Sequence, residues 1–283
     1  MKRRVILLLI TIIFLAACVR SSSLIKKLNQ NSYPLWYSYD TVPTNEKKDI
    51  KLGLSKIEIN TEHFPNTSTV KKHKGTFIPL IAFLYWDYQY SCYLGKEAIR
   101  GDVGEFIKTS FLEESKRSGI YSIEENCADC DFTLHITVND FQTMGPYVKQ
   151  GWGITSPYGW VASIGGDAIG PARADTAITF TIFKDNILIF EKRYVSARTK
   201  GLIKNVSDYS RIMVETLSFA FKDGIEKAVQ GINEFLRNTA DLQPLDTLEN
   251  KLKNLKEMKS KGLLSDKEYL EQKSKIIDDY NFN

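Results

Sequence analysis

Two cysteines three positions apart, Cys127 and Cys130, have the residue type and spacing that most directly indicate chemistry. Such a pair can form a redox centre, half of a zinc site or a small disulfide loop. A redox pair normally opens a helix that lowers the thiol pKa, whereas these residues precede a strand pattern. Zinc would need two further ligands, and the three histidines of the chain lie apart from any second cysteine pair. The sequence therefore favours a structural disulfide or two free thiols, with Cys92 buried among aromatic residues.

Residues for enzymatic catalysis are sparse. The three histidines, His63, His73 and His135, are scattered, and the chain has no Gly-x-Ser-x-Gly elbow and no paired metal ligands. We therefore expect a protein that is not an enzyme and that has no catalytic residue, no metal and no cofactor. A catalytic carboxylate pair leaves no sequence signature, so a hydrolase with a carboxylate-based site remains an alternative, as does a small-ligand binding module.

The first eighteen residues form the most specific pattern in the chain. Three basic residues at positions 2–4 precede an apolar run from Val5 to Phe14, which leads into Leu-Ala-Ala and Cys18. This is the layout of a secretory signal, and the run is too short to span a bilayer comfortably. Its ending resembles the lipobox of bacterial lipoproteins, in which the cysteine thiol is diacylated and the peptide is cut just before it. The resemblance implies that residues 1–17 are removed and that Cys18 carries the lipid, palmitate included.

The lipobox resemblance also bears on location. In Gram-negative lipoproteins an Asp after the acylated cysteine favours retention in the inner membrane, and here that residue is Val19. The resemblance therefore implies the outer membrane, facing the periplasm. The signal holds three of the 38 basic residues, so the mature chain has 35 against 34 acidic ones, a net charge of +1. That balance lacks the clustered excess of a nucleic-acid-binding protein. The expected partners are the membrane, through the lipid on Cys18, and an envelope protein or a second copy of the chain.

The elements that follow divide the mature chain. Residues 18–49 are rich in Ser, Asn, Lys and Tyr without periodicity, which predicts a tether that lets the domain stand off the bilayer. Residues 50–238 form the main domain. Alternation predicts a first strand over 52–60, and the β-branched and aromatic residues of 76–93 predict one long strand or two short ones.

A capped helix and a strand come next. Asp102 can cap a helix over 102–118, Glu105 completes a capping box, and Gly119 is expected to end the helix in the left-handed conformation. Strict alternation over 132–138 predicts a strand with one wet face.

Residues 145–173 contain seven glycines and three prolines and predict a long loop. Its aromatic residues Trp152, Tyr158 and Trp160 are candidates for contact with a partner or a lipid headgroup layer. The alternative is an excursion whose aromatic side chains tuck back onto the sheet.

A hairpin and a long helix complete the main domain. Residues 174–183 and 187–198 alternate around a tight turn at Asp185-Asn186, and 208–238 carry an apolar stripe in which Gly224 and Gly231 indicate close packing. Together these elements predict an α+β fold, a mostly antiparallel sheet with packing helices.

The order of elements resembles small periplasmic lipoprotein domains of envelope assembly and export, such as curli-secretion-type lipoproteins and the auxiliary lipoproteins of transporters. The shared features are Cys18, the helix 102–118, residues 129–141 entering a strand, the 174–199 hairpin and the closing helix. The resemblance implies a non-enzymatic binding or assembly component of such a system.

The C-terminal residues form a separate unit, a short helical hairpin over 247–283 behind a linker at 239–246. Ser265 and Glu268 predict a capping box at the start of its second helix. The unit resembles a SHOCT (short C-terminal) domain in its spaced leucines, its Gly-hydrophobic turn and its aromatic residue: Leu252, Leu255, Gly262, Leu264, Ser265, Glu268, Tyr269 and Lys273. The resemblance implies an assembly role, for which we name Leu252, Leu255, Leu264, Tyr269 and Ile276. A unit of roughly 35 residues cannot build a self-sufficient core, so it must dock on something.

Overall fold

An eight-stranded, mostly antiparallel sheet with helices packed on one face forms the body of the protein. The computed structural model describes residues 21–60, 64–80, 83–125, 127, 129–156, 159–200, 208–238, 248–261 and 265–281. The predicted signal, Cys18 and the predicted linker 239–246 lie outside these residues. Within the described ranges, no helix combines the length and the apolar character that crossing a membrane would need.

The helices and strands alternate irregularly along the chain. The helices are α1 Ser21–Leu28, α2 Val103–Ser118, α3 Tyr209–Asn238, α4 Leu248–Ser260 and α5 Asp266–Asn281, with a short 3-10 turn at Lys96–Ala98. The strands are β1 Tyr33–Pro34, β2 Lys51–Ile59, β3 Thr69–Leu80, β4 Phe83–Tyr93, β5 Ile99–Arg100, β6 Ser122–Glu125, β7 Phe132–Ser156, β8 Gly159–Ile169, β9 Ala172–Lys184 and β10 Ile187–Lys200. Strands β1 and β5 pair separately, in parallel.

Strand β7, with 25 residues, organises the sheet. Its first half pairs in parallel with β2 and antiparallel with β9, giving the order β10-β9-β7-β2-β6. Its second half pairs antiparallel with β4 and β8, and β3 pairs with β4. We call β3, β4, β8 and residues 145–156 of β7 the arm. One strand therefore runs from the core of the domain into a second, four-stranded part of the sheet.

The core lies between the helices and one face of the first half of the sheet. The alternate residues Leu134, Ile136 and Val138 of β7 are fully buried, while the intervening side chains are exposed or half-buried. On the buried face the ring of Phe111 in α2 lies 5.2 Å from that of Phe180 in β9. The strand with one wet face and the α+β fold with packing helices are thereby confirmed.

Local signals account for the ends of several elements. The Asp102 side chain accepts a hydrogen bond of 2.8 Å from the backbone N–H of Glu105, as predicted for the helix cap. Asp185 and Asn186 have φ of 50° and 63°, which is the primed turn that suits the twist of a hairpin. Gly119 differs from the prediction, since its φ of −73° is extended rather than left-handed. A Cβ there would lie 2.5 Å from the Ser115 carbonyl oxygen, so glycine is needed for space.

The N-terminal segment 21–49, predicted as a tether, is packed against the domain, and we call it the strap. In α1, Leu24 and Leu28 point into the core with 5% and 1% of their surface exposed. Further along, the backbone N–H of Trp36 donates to Ser218 Oγ in α3 at 3.2 Å. The prediction of a free tether is wrong for this segment because single residues, rather than a periodic pattern, hold it in place.

Glu114 of α2 explains part of this attachment. Its carboxylate is fully buried and needs hydrogen-bond donors. The strap supplies Tyr37, whose hydroxyl lies 3.2 Å away, and Thr41, whose hydroxyl also donates to it; Ser118 donates from the same helix at 2.8 Å. Burial and the nearby Glu114 charge raise the pKa of Tyr37, so this phenol remains a donor. The strap is therefore joined to the helical layer by a buried polar network.

The C-terminal helices α4 and α5 pack against each other. The predicted capping box is present, since the Ser265 N–H donates to Glu268 at 2.9 Å and the Glu268 N–H to the Ser265 hydroxyl at 3.3 Å. Leu255 is buried, and the Lys259 ammonium lies 4.7 Å from the centre of the Tyr269 ring. Leu264 lies outside the described residues. The short helical hairpin of the prediction is thus confirmed as a structural unit.

Candidate functional site

The arm carries a row of apolar side chains on one face. Its strands lie in the order β3-β4-β7-β8, and the register places Ile78, Tyr85, Trp152 and Ile164 directly opposite one another. The next row on the same side contains Phe83 and Ile154, because side chains two residues apart share a face. We call these six residues the apolar face.

Four members of the apolar face are exposed to a degree unusual for their type. The exposed fractions are 62% for Ile164, 44% for Ile78, 39% for Ile154 and 37% for Phe83. Contiguous exposed apolar surface of this kind marks interaction sites in soluble proteins. Full burial of an exposed side chain of this kind is worth about 1.5–3 kcal/mol. Because these four side chains are 37–62% exposed, covering the row would recover roughly half of that value for each.

Two glycines on the opposite face leave room for a tryptophan ring. The indole of Trp86 lies across Gly151 and Gly165, where an added Cβ would come within 2.5 Å and 2.8 Å of Trp86 Cζ2. On the apolar face itself, the rings of Phe83 and Trp152 stack with centroids 5.9 Å apart. The glycine content of this segment therefore serves close packing in a sheet.

The apolar face ends at an ion pair. Asp87 lies on the same side of β4, two residues beyond Tyr85, and is only 6% exposed. Its Oδ2 atom accepts a hydrogen bond from the Lys74 ammonium, with Nζ and Oδ2 2.6 Å apart. That hydrogen bond raises the pKa of Lys74 above its usual range. The pair gives the apolar face a polar boundary towards the body of the domain.

The sequence predicts this site only in part. Within 145–173, predicted as a long loop, the described residues form the second half of β7, the strand β8 and the start of β9. The pattern was misleading because Gly and Pro weaken strand propensity, while the pairing with β4 supplies what the segment lacks by itself. Of the predicted contact residues, Trp152 lies on the apolar face, Trp160 belongs to β8 and Tyr158 lies outside the described residues. Ile78, Phe83, Ile154 and Ile164 were missed, although their alternation with small or polar neighbours could have indicated them.

The cysteines lie away from the arm's apolar face. Cys127 and Cys130 are joined by a disulfide with Cα atoms 5.6 Å apart, beside Gly53 of β2. Cys92 is a free, buried thiol, and burial raises its pKa to about 12. Among the described residues, no group of three or more His, Cys, Asp or Glu side chains could hold a metal ion.

A cleft of about 570 Å³ lies between β2, β5 and the start of α2. Its three carboxylates all have structural partners: Asp102 caps α2, and Glu105 and Glu125 lie 3.5 Å and 2.8 Å from the Lys108 ammonium. Of the described histidines, His135 on β7 contacts Ser55, a residue that lines the cleft, at 3.5 Å, and His73 contacts Ser91 on the arm at 2.7 Å. Each of the three acids that line the cleft is therefore engaged in a contact that stabilises the fold.

Comparisons with known proteins give only distant likenesses. Neither a protein-family model nor a curated protein matches the chain. A Xanthomonas campestris protein of the DUF330 family has a similar structure with a TM-score of 0.42 and 11% identity, over 73% of this chain and 97% of that one. A homologue of a neuraminyllactose-binding hemagglutinin from Helicobacter pylori gives a TM-score of 0.27 and 13% identity, over 75% and 92%. Likenesses this distant do not show a function for this chain.

Proposed function

We propose that this protein is a membrane-anchored envelope lipoprotein that acts without catalysis, by binding a protein partner or a second copy through the apolar face of its arm. The exposed row of Ile78, Phe83, Ile154 and Ile164 carries the proposal. The Leu-Ala-Ala-Cys18 pattern supports the anchor, and Val19 supports the outer membrane facing the periplasm.

Binding explains the row better than packing within the chain. A strand that alternates large apolar residues with glycine can place them on a flat surface, and such surfaces suit protein partners that bury side chains in rows. The carboxylates of the cleft are already occupied, which favours binding over the hydrolase alternative. The resemblance in element order to assembly and export lipoproteins supports a place in such a system.

The helices α4 and α5 supply a second contact element in this proposal. Two short helices with one apolar stripe each bury little surface by themselves. Leu252 and Tyr269 are half-buried and Leu270 is 63% exposed, so part of the hairpin's apolar surface is open to solvent. We assign the hairpin to assembly, as its SHOCT-like pattern implies.

The test compares substitutions of exposed β-branched residues at two places on the surface. The test variant combines Ile154→Thr and Ile164→Thr, which keep the β-branched shape on the apolar face but remove apolar surface. Val195→Thr, on β10 and 63% exposed, is the matched control. The lipoprotein is extracted from envelopes in mild detergent, and its mass is measured by native electrophoresis after mild cross-linking.

The unaltered protein and the Val195→Thr control should migrate in a complex larger than the monomer. The double variant on the apolar face should migrate as a monomer with an unchanged melting temperature. Equal masses for all three proteins would reject the apolar face as the binding site, and an unaltered protein that migrates as a monomer would reject the binding function.

A further inference from the structure

The helix α1 and the strand β3 together present a strongly basic edge. Lys26 and Lys27 of α1 and Lys71, Lys72 and Lys74 of β3 are all exposed, and we call these five residues the basic edge. The helix α1 contacts β3. Just after this helix, the side chain of Asn29 accepts a hydrogen bond of 3.2 Å from the backbone N–H of Ser68, which immediately precedes β3. The five lysines therefore lie along one edge of the molecule, where Lys72 is on the face of Tyr88 and Lys74 is on the opposite face, with Asp87.

Few acids balance this charge. Neither α1 nor β3 contains Asp or Glu, and the one acid of the neighbouring strand β4 is Asp87, which pairs with Lys74. Lys72 lies over the ring of Tyr88 at 4.8 Å from its centre. The mature chain as a whole is almost neutral, so this concentration of like charge is local and is not explained by composition.

The basic edge lies close to the expected lipid anchor, and this position indicates which partner it binds. Cys18 precedes the first residue of α1, Ser21, by three positions. Three residues span at most about 10 Å, which is close to the distance over which charges act at physiological salt. Because the strap is packed and not a free tether, a lipid on Cys18 would hold α1 and the start of β3 at the headgroup layer.

We infer that the basic edge binds anionic phospholipid headgroups and seats the domain directly on the membrane surface. A lipid anchor and a polybasic patch commonly act together in membrane attachment. The seating of the domain rests on the anchor of the proposed function, but the affinity of the edge for anionic lipid does not. The apolar face would then stand beside the membrane, since β3 is the edge strand of the same arm.

The experiment uses the mature chain, residues 18–283, with Cys18→Ser so that no lipid is attached. Binding is measured by co-sedimentation with vesicles of phosphatidylcholine alone and of phosphatidylcholine with phosphatidylglycerol. The test variant is Lys26→Gln with Lys27→Gln and Lys71→Gln, which spares the lysines that contact Tyr88 and Asp87. The matched control neutralises three exposed cations elsewhere, at Arg193, Lys227 and Lys261.

The unaltered chain should bind the anionic vesicles, release them in high salt and fail to bind phosphatidylcholine alone. Each lysine near an anionic surface strengthens binding by about fivefold, so the test variant should bind at least tenfold more weakly while the control binds as the unaltered chain does. Equal weakening in control and test variant, no weakening in the test variant, or binding that ignores lipid charge would each overturn the inference. Because no acylation is involved, these outcomes are independent of whether Cys18 is a lipid acceptor.

Discussion

Gly231 in α3 lies directly beneath Tyr194 of β10, and this contact gives a sharp prediction for the packing of the long helix on the sheet. A Cβ added at Gly231 would overlap the Tyr194 hydroxyl oxygen and lie 3.0 Å from its Cζ. The hydroxyl is buried and has no hydrogen-bond partner among the described residues. Burial raises the pKa of Tyr194 to about 12, so the group stays protonated and neutral.

Two opposing effects determine how much the substitution Gly231→Ala changes the free energy of unfolding. Alanine is favoured over glycine inside a helix by about 1 kcal/mol. Overpacking a close contact costs about 1–3 kcal/mol, because the ring must shift within a dense core. The variant should therefore lose up to about 2 kcal/mol of unfolding free energy. Tyr194→Phe removes the colliding oxygen and breaks no hydrogen bond, so it should lie within about 1 kcal/mol of the unaltered protein.

The assay is urea denaturation of the mature chain, followed by circular dichroism, for both single variants and the double variant. In the double variant the overlap with the oxygen is removed and a tight contact of 3.0 Å with the ring carbon Cζ remains, so the two changes should couple by about 1–2 kcal/mol. Gly224→Ala is the matched control in the same helix, because its Cβ would meet its nearest neighbour, Ile178 Cδ1, at an ordinary 3.4 Å. It should stabilise by up to about 1 kcal/mol. Additive effects, within about 0.5 kcal/mol, would refute this account of the helix–sheet contact.

Three further predictions follow from the anchor, the cysteines and the C-terminal hairpin. Cys18→Ala should abolish labelling by a fatty-acid probe in growing cells, and equal label on both proteins would reject the lipobox interpretation. Alkylation without reductant should leave Cys127 and Cys130 unmodified and reach Cys92 only slowly, because its thiol is buried; rapid labelling of the pair in envelope protein would contradict the disulfide. Deleting 245–283 should leave the circular-dichroism melting of the main domain intact but lower the mass seen by light scattering. An unchanged mass with no partner lost, or a large fall in melting temperature, would show that the hairpin is not an assembly element.

Much of the body of the fold could be predicted because its signals are local. At the start of α2, the Asp102 carboxylate accepts a hydrogen bond from the N–H three residues later. This bond does not depend on residues that are distant in the sequence. Asp185 and Asn186 tolerate positive φ by their own chemistry, and the stripe of α3 repeats at the helical period. In each case the residues that decide the structure are neighbours in sequence.

The arm and the strap could not be predicted for the opposite reason. Gly151 and Gly165 are needed because of Trp86, which lies on a strand more than fifty residues earlier, and alone they indicate a loop. The strap similarly depends on Glu114, because its buried carboxylate requires hydrogen-bond donors. No periodic pattern in the sequence indicates which residues supply them. The candidate site shares this dependence, since the apolar face exists only once the register of four strands is known.

The most direct measurement of the central claim is the thiol accessibility of the apolar face in the intact envelope. Ile164→Cys and the control Val195→Cys place thiols at side chains that are 62% and 63% exposed in the isolated chain. In the purified monomer both should react with a soluble maleimide at similar rates. In intact envelopes the proposed function predicts that the thiol at 164 is protected at least tenfold while the thiol at 195 still reacts. Equal reactivity of the two thiols in the envelope would contradict the claim that the apolar face binds a partner.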